Sequence, residues 1–332
     1  MISYLVRRIL IMIPTLLVIS VIIFTIIQLP PGDYLSTMVA ELQARGESID
    51  QGRLHFLRET YGLDQSPVER YGHWIAGLAH GDFGWSFEYG MPVRDVVGDR
   101  LLLTVIVSGA TVLFIWLVSF PIAIYSATHP YSWGDYTLTL IGFLGLATPS
   151  FLFALVLLYL ANVLFGLPIG GLMAPAYQDA PWSWGKVLSI LSHLWLPVIV
   201  IGSSGTAGMI RRLRANLMDE LNKQYVVTAR AKGLSPTRLL IKYPLRLALN
   251  PFIADIGAIL PQIISGAAVV SIVLSLPTEG PMLLDALRSQ DMYLAGSFLM
   301  FMAVLTVVGV FLSDIALALL DPRIRLGGGV RR

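Results

Sequence analysis

Residues 9–29 read ILIMIPTLLVISVIIFTIIQL, 21 positions without a charge. A helix of that length covers about 30 Å, the hydrocarbon thickness of a bilayer. The pattern recurs. Leu101–Gly134 is uncharged and holds one long helix ending near His129-Pro130. Tyr136–Gln178 is also uncharged, and Gly166-Leu167-Pro168 with Gly170-Gly171 divide it into a helix to about Phe165 and a loop. Val187–Ile210 follows, then Asn250–Leu276, interrupted by Asp255 and Pro261, and then Met292–Ser313, extending to about Leu320. Composition agrees with these six stretches. Of 332 residues 55% are hydrophobic and 13% charged, and mean hydropathy is +0.72, whereas a soluble chain carries about a quarter charged residues. A soluble enzyme and a disordered protein are excluded. The expected fold is an all-α polytopic membrane protein with six transmembrane helices.

The first stretch is longer than a signal-peptide core and ends in Gln28-Leu29-Pro30-Pro31 without a small-x-small cleavage site, so it reads as a retained helix. An even number of spans puts both termini on one side. That side carries 15 Lys and Arg, nine of them between Arg211 and Arg246, with Arg7 and Arg8 before the first span and four more after the last. The other side has Lys186 and Arg288, plus six in the long 30–100 segment, which counts little because long segments translocate regardless of charge. Both termini and the Arg211–Arg246 connection are therefore expected in the cytoplasm. The chain divides into 1–29 (tail and first helix), an external 30–100 segment, and a 101–332 core containing a cytoplasmic segment, 214–249. The external segment holds eleven acidic residues against six arginines. It reads either as a cap or as a docking surface for an extracytoplasmic partner. Trp74, Gly81, Asp82, Phe83 and Trp85 are the candidate docking residues. No internal repeat supports the inverted-repeat architecture of many secondary transporters.

The cytoplasmic segment is the most informative. Arg214–Lys232 has helical composition without Gly or Pro. Gly233 stands where a left-handed C-cap belongs, and Ser235-Pro236 reads as the N-cap and first turn of a second helix, Thr237–Leu249. A surface helix that transmits force needs a small face for close approach, flanking charge and a rigid link to a span. Ala229, Ala231 and Gly233 supply the first, and Arg230 and Lys232 the second. The following helix supplies the link.

The stretch Tyr225-Val226-Val227-Thr228-Ala229-Arg230-Ala231-Lys232-Gly233-Leu234-Ser235 resembles the EAA-type coupling segment of ABC-importer permeases of the dipeptide/oligopeptide type. The likeness extends along the chain. Tyr4, Arg7-Arg8, Ile13-Pro14-Thr15 and Pro31-Gly32-Asp33 resemble that family's first span, and Tyr61-Gly62-Leu63-Asp64, Gly81-Asp82-Phe83-Gly84 and Ser86 its external segment. His193-Leu194 with Pro197, Ser275-Leu276-Pro277 and Asp321-Pro322-Arg323-Ile324-Arg325 match later landmarks. The resemblance implies a second homologous permease, two cytoplasmic ATPase subunits or a fused pair, an extracytoplasmic substrate-binding protein, and a bacterial inner-membrane location. It implies that Tyr225, Thr228, Ala229, Arg230, Ala231, Lys232 and Gly233 engage the ATPase. ATP and Mg would be held by the partners and no cofactor by this chain. Val227, Thr228 and Ala229 stand where the general pattern has Glu-Ala-Ala, Ser271 where relatives often have Glu, and Pro277-Thr278 where they have Pro-Gly. The substrate class stays open among dipeptides, longer peptides, oligosaccharides and nickel chelates.

Chemistry motifs are lacking. No Gly-rich loop with Lys-Ser/Thr is present, and the five histidines show no metal spacing; with no cysteine, thiolate sites are excluded. Neither catalytic nor metal residues are expected. Asp255 and Asp314 lie within spans, and a buried acid suggests either an ion site or structural pairing; with Asp321 they read as gate or structural acids. Pro14, Pro121, Pro149, Pro197 and Pro261 interrupt spans and would kink them. Helix–Gly–helix with nine basic residues superficially resembles a DNA reader, but tethering at both ends argues against a nucleic-acid partner; lipid is the expected surrounding. A proton-coupled secondary transporter working without ATPases is the alternative that composition and span count alone permit.

Overall fold

The computed structural model describes residues 2–44, 46, 52, 55, 58, 59, 62, 64–166, 170–178 and 180–320. The helices are α1 (Ile2–Gln28), α2 (Tyr34–Ala44), α3 (Pro67–Ala79), α4 (Val93–Thr128), α5 (Trp133–Ala147), α6 (Ser150–Phe165), α7 (Trp184–Leu221), α8 (Gln224–Ala231), α9 (Pro236–Lys242), α10 (Pro244–Ala248), α11 (Asn250–Val273), α12 (Glu279–Arg288) and α13 (Met292–Leu320). One minimal antiparallel pair, β1 (Trp85–Ser86) with β2 (Met91–Pro92), is the departure from all-α among the described residues.

Helices stand at all six stretches expected to span. Leu5–Gln28, Val93–Thr128, Trp184–Leu221 and Met292–Leu317 are each long and apolar enough to cross a membrane. The third stretch is not one rod: α5 and α6 meet at 102°. Pro149 causes the break. It forces Thr148 out of the helical region, to φ −84° and ψ 124°, and the Thr148 hydroxyl closes the end of α5 by donating to Leu144 O. Pro14, Pro121 and Pro197 instead lie inside uninterrupted helices, as does Pro261, and Asp255 does not interrupt α11 either. Prolines are tolerated inside membrane helices where neighbouring helices and Ser or Thr side chains satisfy the freed backbone groups.

The chain divides into two compact units. Among the described residues, the first comprises Val105–Pro277 and 308–320; the second comprises Ile2–Thr104 and Thr278–Val307. In the first unit α7 is the hub, with α5, α6, α10 and α11 packed on it. Gly166 ends α6 in the left-handed conformation, as the sequence suggests, and Gly171 N–H donates to Leu274 O at 2.7 Å.

The second unit has a core of Val93, Val96, Val97, Met282, Ala286, Leu294, Ala295 and Phe298. A smaller cluster sets Phe24 of α1 against Trp74 of α3 and Met292 of α13. Helix α3 begins with a capping box: Ser66 Oγ accepts from Glu69 N–H and Glu69 Oε2 accepts from Ser66 N–H, with Pro67 in the first turn. It is tied to α1 by the Ser20 Oγ–Tyr71 OH contact at 2.8 Å and by Arg70 Nη2 donating to Gln28 Oε1 at 2.7 Å.

Candidate coupling site and external surface

The segment after α7 departs from the expected pair of helices. Arg214–Lys232 is not one helix: α7 runs on to Leu221, Asn222 and Lys223 break it, and α8 follows. The second helix is broken too. Pro244 removes an N–H and splits the expected Thr237–Leu249 into α9 and α10 at Tyr243. The Gly233 reading holds. Its φ is +80°, its N–H donates to Arg230 O, and Leu234 N–H donates to Ala229 O. Both bonds of a Schellman closure are present, with Leu234 packed against the small core that contains Ala229. Ser235 is extended with Pro236 next, although its side chain makes no capping hydrogen bond.

These turns fold the segment on a core of three residues, Val226, Ala229 and Leu239, flanked by Tyr225, Leu234 and Tyr243. Ala229 is therefore turned inward, 7% exposed, and is not part of the open small face expected of it. The reason is helical periodicity: Val226 and Ala229, three residues apart, share the inner face. The outer face shows Val227, Thr228, Arg230, Ala231 and Lys232, with Gly233 at its end. Tyr225 is fixed by donating its hydroxyl to Glu220 Oε2 on α7. Burial first, and that hydrogen bond second, push its hydroxyl above the ordinary tyrosine range, so it remains a donor at neutral pH.

The external candidates separate by burial. Trp74 is buried beside Phe24, and Phe83 packs on the second unit's core, so both hold the fold. Gly81, Asp82 and Trp85 are exposed. Asp82 Oδ1 accepts from Gly84 N–H at 3.0 Å, which shapes the turn. Gly84 adopts φ +79°, and a Cβ there would stand 2.6 Å from the Tyr293 ring, so no other residue fits. Beside this turn lies a cavity of about 270 Å³ bounded by His73, Asp82, Trp85 and Tyr293. Of the expected gate acids, Asp314 is half-buried on α13, Asp255 lies in α11 with its side chain outside the described set, and Asp321 lies outside the described residues.

Sequence reasoning missed three carboxylates. Asp291 is fully buried; its Oδ2 accepts from Ser86 Oγ and Phe87 N–H, both at 2.7 Å, and from Glu88 N–H at 3.1 Å, and its Oδ1 accepts from Leu294 N–H at 3.1 Å. It caps α13 and ties the β1–β2 turn to it. An Asp immediately before an apolar helical run was a legible N-cap signal. Glu279 opens α12 with its N–H donating to Thr104 Oγ1 at 3.3 Å. Its Oε2 has no hydrogen-bond partner among the described residues, and burial raises its carboxyl to about 7. Asp135 pairs with Arg214. Asp135 was visible as the lone charge between two uncharged runs, but nothing in the spacing named a partner 79 positions away.

Among the described residues no three His, Asp or Glu side chains gather as a metal site would need. A multi-span helical chain that presents a folded basic surface segment is the architecture of a membrane permease subunit that works through partners. The chain belongs to the family described as binding-protein-dependent transport system inner membrane component, which matches residues 119–326; the family described as binding-protein-dependent transport system membrane component, N-terminal, matches residues 1–108. It is 34% identical to the oligopeptide transport system permease protein AppB of Bacillus subtilis (strain 168) over 98% of this chain and 99% of that protein. It is 28% identical to the dipeptide transport system permease protein DppB of Escherichia coli (strain K12), and 29% to that organism's glutathione transport system permease protein GsiC, over 98% of this chain and 99% of each. The chain is thus a multi-pass permease component of a binding-protein-dependent importer and not an enzyme; the secondary-transporter alternative finds no support.

Proposed function

We propose that this permease lines one half of a peptide pathway in a bacterial inner membrane and is driven by ATPase subunits docked on α8. The observation that carries this reading is the outer face of α8, where Val227 is 54% exposed on a helix that follows directly after a long membrane helix. An exposed apolar side chain on a surface that also carries Arg230 and Lys232 fits a partner's groove. Peptide cargo is supported by relatives named for oligopeptide, dipeptide and glutathione transport. A second homologous permease completes the pathway, an extracytoplasmic binding protein delivers substrate, and two ATPases or a fused pair hold ATP and Mg. The charge distribution supports six crossings with both termini in the cytoplasm. Closure of the ATPases on nucleotide then moves α8, and α7 with it, shifting the permease between two accessibilities.

The test is reconstitution. Proteoliposomes holding this chain with its ATPases, partner permease and binding protein should accumulate labelled peptide only with ATP. The chain alone should accumulate none under any ion gradient. Proton-driven uptake by the single chain would overturn the reading.

A further inference from the structure

An ion pair in the first unit lies apart from the outer face of α8. Asp135 stands in the first turn of α5, 2% exposed. Its Oδ1 accepts from Arg214 Nε at 3.0 Å and its Oδ2 from Arg214 Nη2 at 2.7 Å, a two-pronged fork. Tyr131 N–H adds a third bond to Oδ2 at 2.9 Å, and the Arg214 guanidinium lies over the Tyr131 ring at 5.9 Å. The turn that precedes α5 is thereby knotted to α7.

Packing alone does not hold this end of α5. A cavity of about 320 Å³ lies between α5 and α7 at this level, bounded by Tyr136, Thr139, Ile210 and Arg211 with the ion pair itself. Gly142 and Ala207 stand at the border of this cavity, where an added Cβ on Gly142 would lie 3.8 Å from Ala207, and farther along the helices come close at Gly145, where one would lie 3.5 Å from Ser203. The fork thus bridges a gap, and the glycines form the contact about which α5 would pivot if the fork were released.

Arg214 lies seven residues before the end of α7 at Leu221, about 10 Å along the axis. Helix α8 begins three residues later and is held to α7 by Tyr225 and Glu220. Beyond α5, the 102° bend leads directly into α6. We propose that the Asp135–Arg214 pair is a positioning clamp that passes the movement of α8, through α7, to the bent α5–α6 pair. This rests on the reading of α8 as the ATPase-docking helix. Neither residue touches substrate or nucleotide; both act by making the two helices move as one.

The chain has no cysteine, so two spin labels can be placed cleanly, at Ala231→Cys on α8 and at the exposed Tyr159→Cys on α6. Their separation is measured in the complete reconstituted complex, nucleotide-free and trapped with ATP and vanadate. With the clamp intact the separation should stay constant on trapping. With Arg214→Gln it should match the parent when nucleotide-free and change on trapping by more than about 2 Å, the scale of helix shifts in switching proteins. Arg214→Lys, which keeps the charge but not the fork, should fall between, and Asp135→Asn should repeat the Gln result. The clamp is refuted if Arg214→Gln tracks the parent, or if its separation already differs without nucleotide, which would make the pair a fold element only. A label at Ala231 that is unaffected by ATPase binding would instead refute the docking reading and take the clamp down with it.

Discussion

The coupling segment and the turn-rich part of the second unit are built in opposite ways. Helices α8 and α9 fold on Val226, Ala229 and Leu239, whose sequence separation is at most 13 residues. The region around β1–β2 is held by contacts that cross the sequence: Asp291 reaches Ser86, 205 positions away, and Val93 and Val96 pack with Met282, Leu294 and Phe298. A local fold with a tiny core and an apolar outer side chain gains from a partner that covers it. A cross-braced fold with fully buried residues stands as a scaffold. The contrast assigns movement to the first and rigidity to the second, and substitutions in each should fail differently.

The largest effect is expected at Asp291. Asp291→Ala strips the acceptor from two backbone N–H groups of the turn, the Ser86 hydroxyl and the first turn of α13, and unpaired buried donors cost roughly 1–3 kcal/mol each. The detergent-purified protein should melt about 6–10 °C lower, at a few degrees per kcal/mol, while ATPase recruitment by α8 persists in the surviving folded fraction. Equal stability of Asp291→Ala and parent would break the scaffold half of the comparison.

Next is Ala229→Leu. Overpacking a three-residue core costs about 1–3 kcal/mol, and the loss should be local: ATPase pull-down weakens about tenfold, at 1.4 kcal/mol per factor of ten, with global melting unchanged. Gly233→Val belongs to the same class, because a β-branched residue at φ +80° is strained by about 1–3 kcal/mol. If either lowers the melting temperature as far as Asp291→Ala, the segment is not an independent local fold.

The smallest effect concerns Glu279. Its carboxyl, ordinarily at 4.5, is raised to about 7 by burial, so the folded state favours the protonated form. The stability it lends is complete below pH 4.5 and is lost as pH rises through 7. Between about pH 4.5 and 7 the melting temperature should fall by a few degrees per pH unit and then level off, and Glu279→Gln should remove that slope. A slope that survives the substitution would place the titrating group elsewhere.

The same contrast governs what was legible in the sequence. Hydrophobic runs announced α1, α4, α7 and α13, and the Gly233 closure was readable because every residue it needs lies within five positions. Prolines were only partly legible: the expected interruption at Pro149 is present, Pro244 broke a helix expected to be continuous, and Pro14, Pro121 and Pro197 lie inside unbroken helices. Composition does not distinguish those cases; the neighbours and the packing do. The inward turn of Ala229 was hidden because its burial depends on where α9 folds back. Asp135 with Arg214, and Asp291 with Ser86, were invisible as pairs because sequence spacing carries no information on contacts that distant.

The central claim is that the ATPase reads the outer face of α8 and not its inner one. Single cysteines at Ala231 and at Ala229 test it directly in this cysteine-free chain. A short bifunctional maleimide reagent should cross-link Ala231→Cys to the ATPase subunit, and bound ATPase should protect that thiol from a soluble maleimide. Ala229→Cys should stay unreactive whether or not the ATPase is bound. Cross-linking from position 229 as strong as from 231, or from neither, would contradict the account.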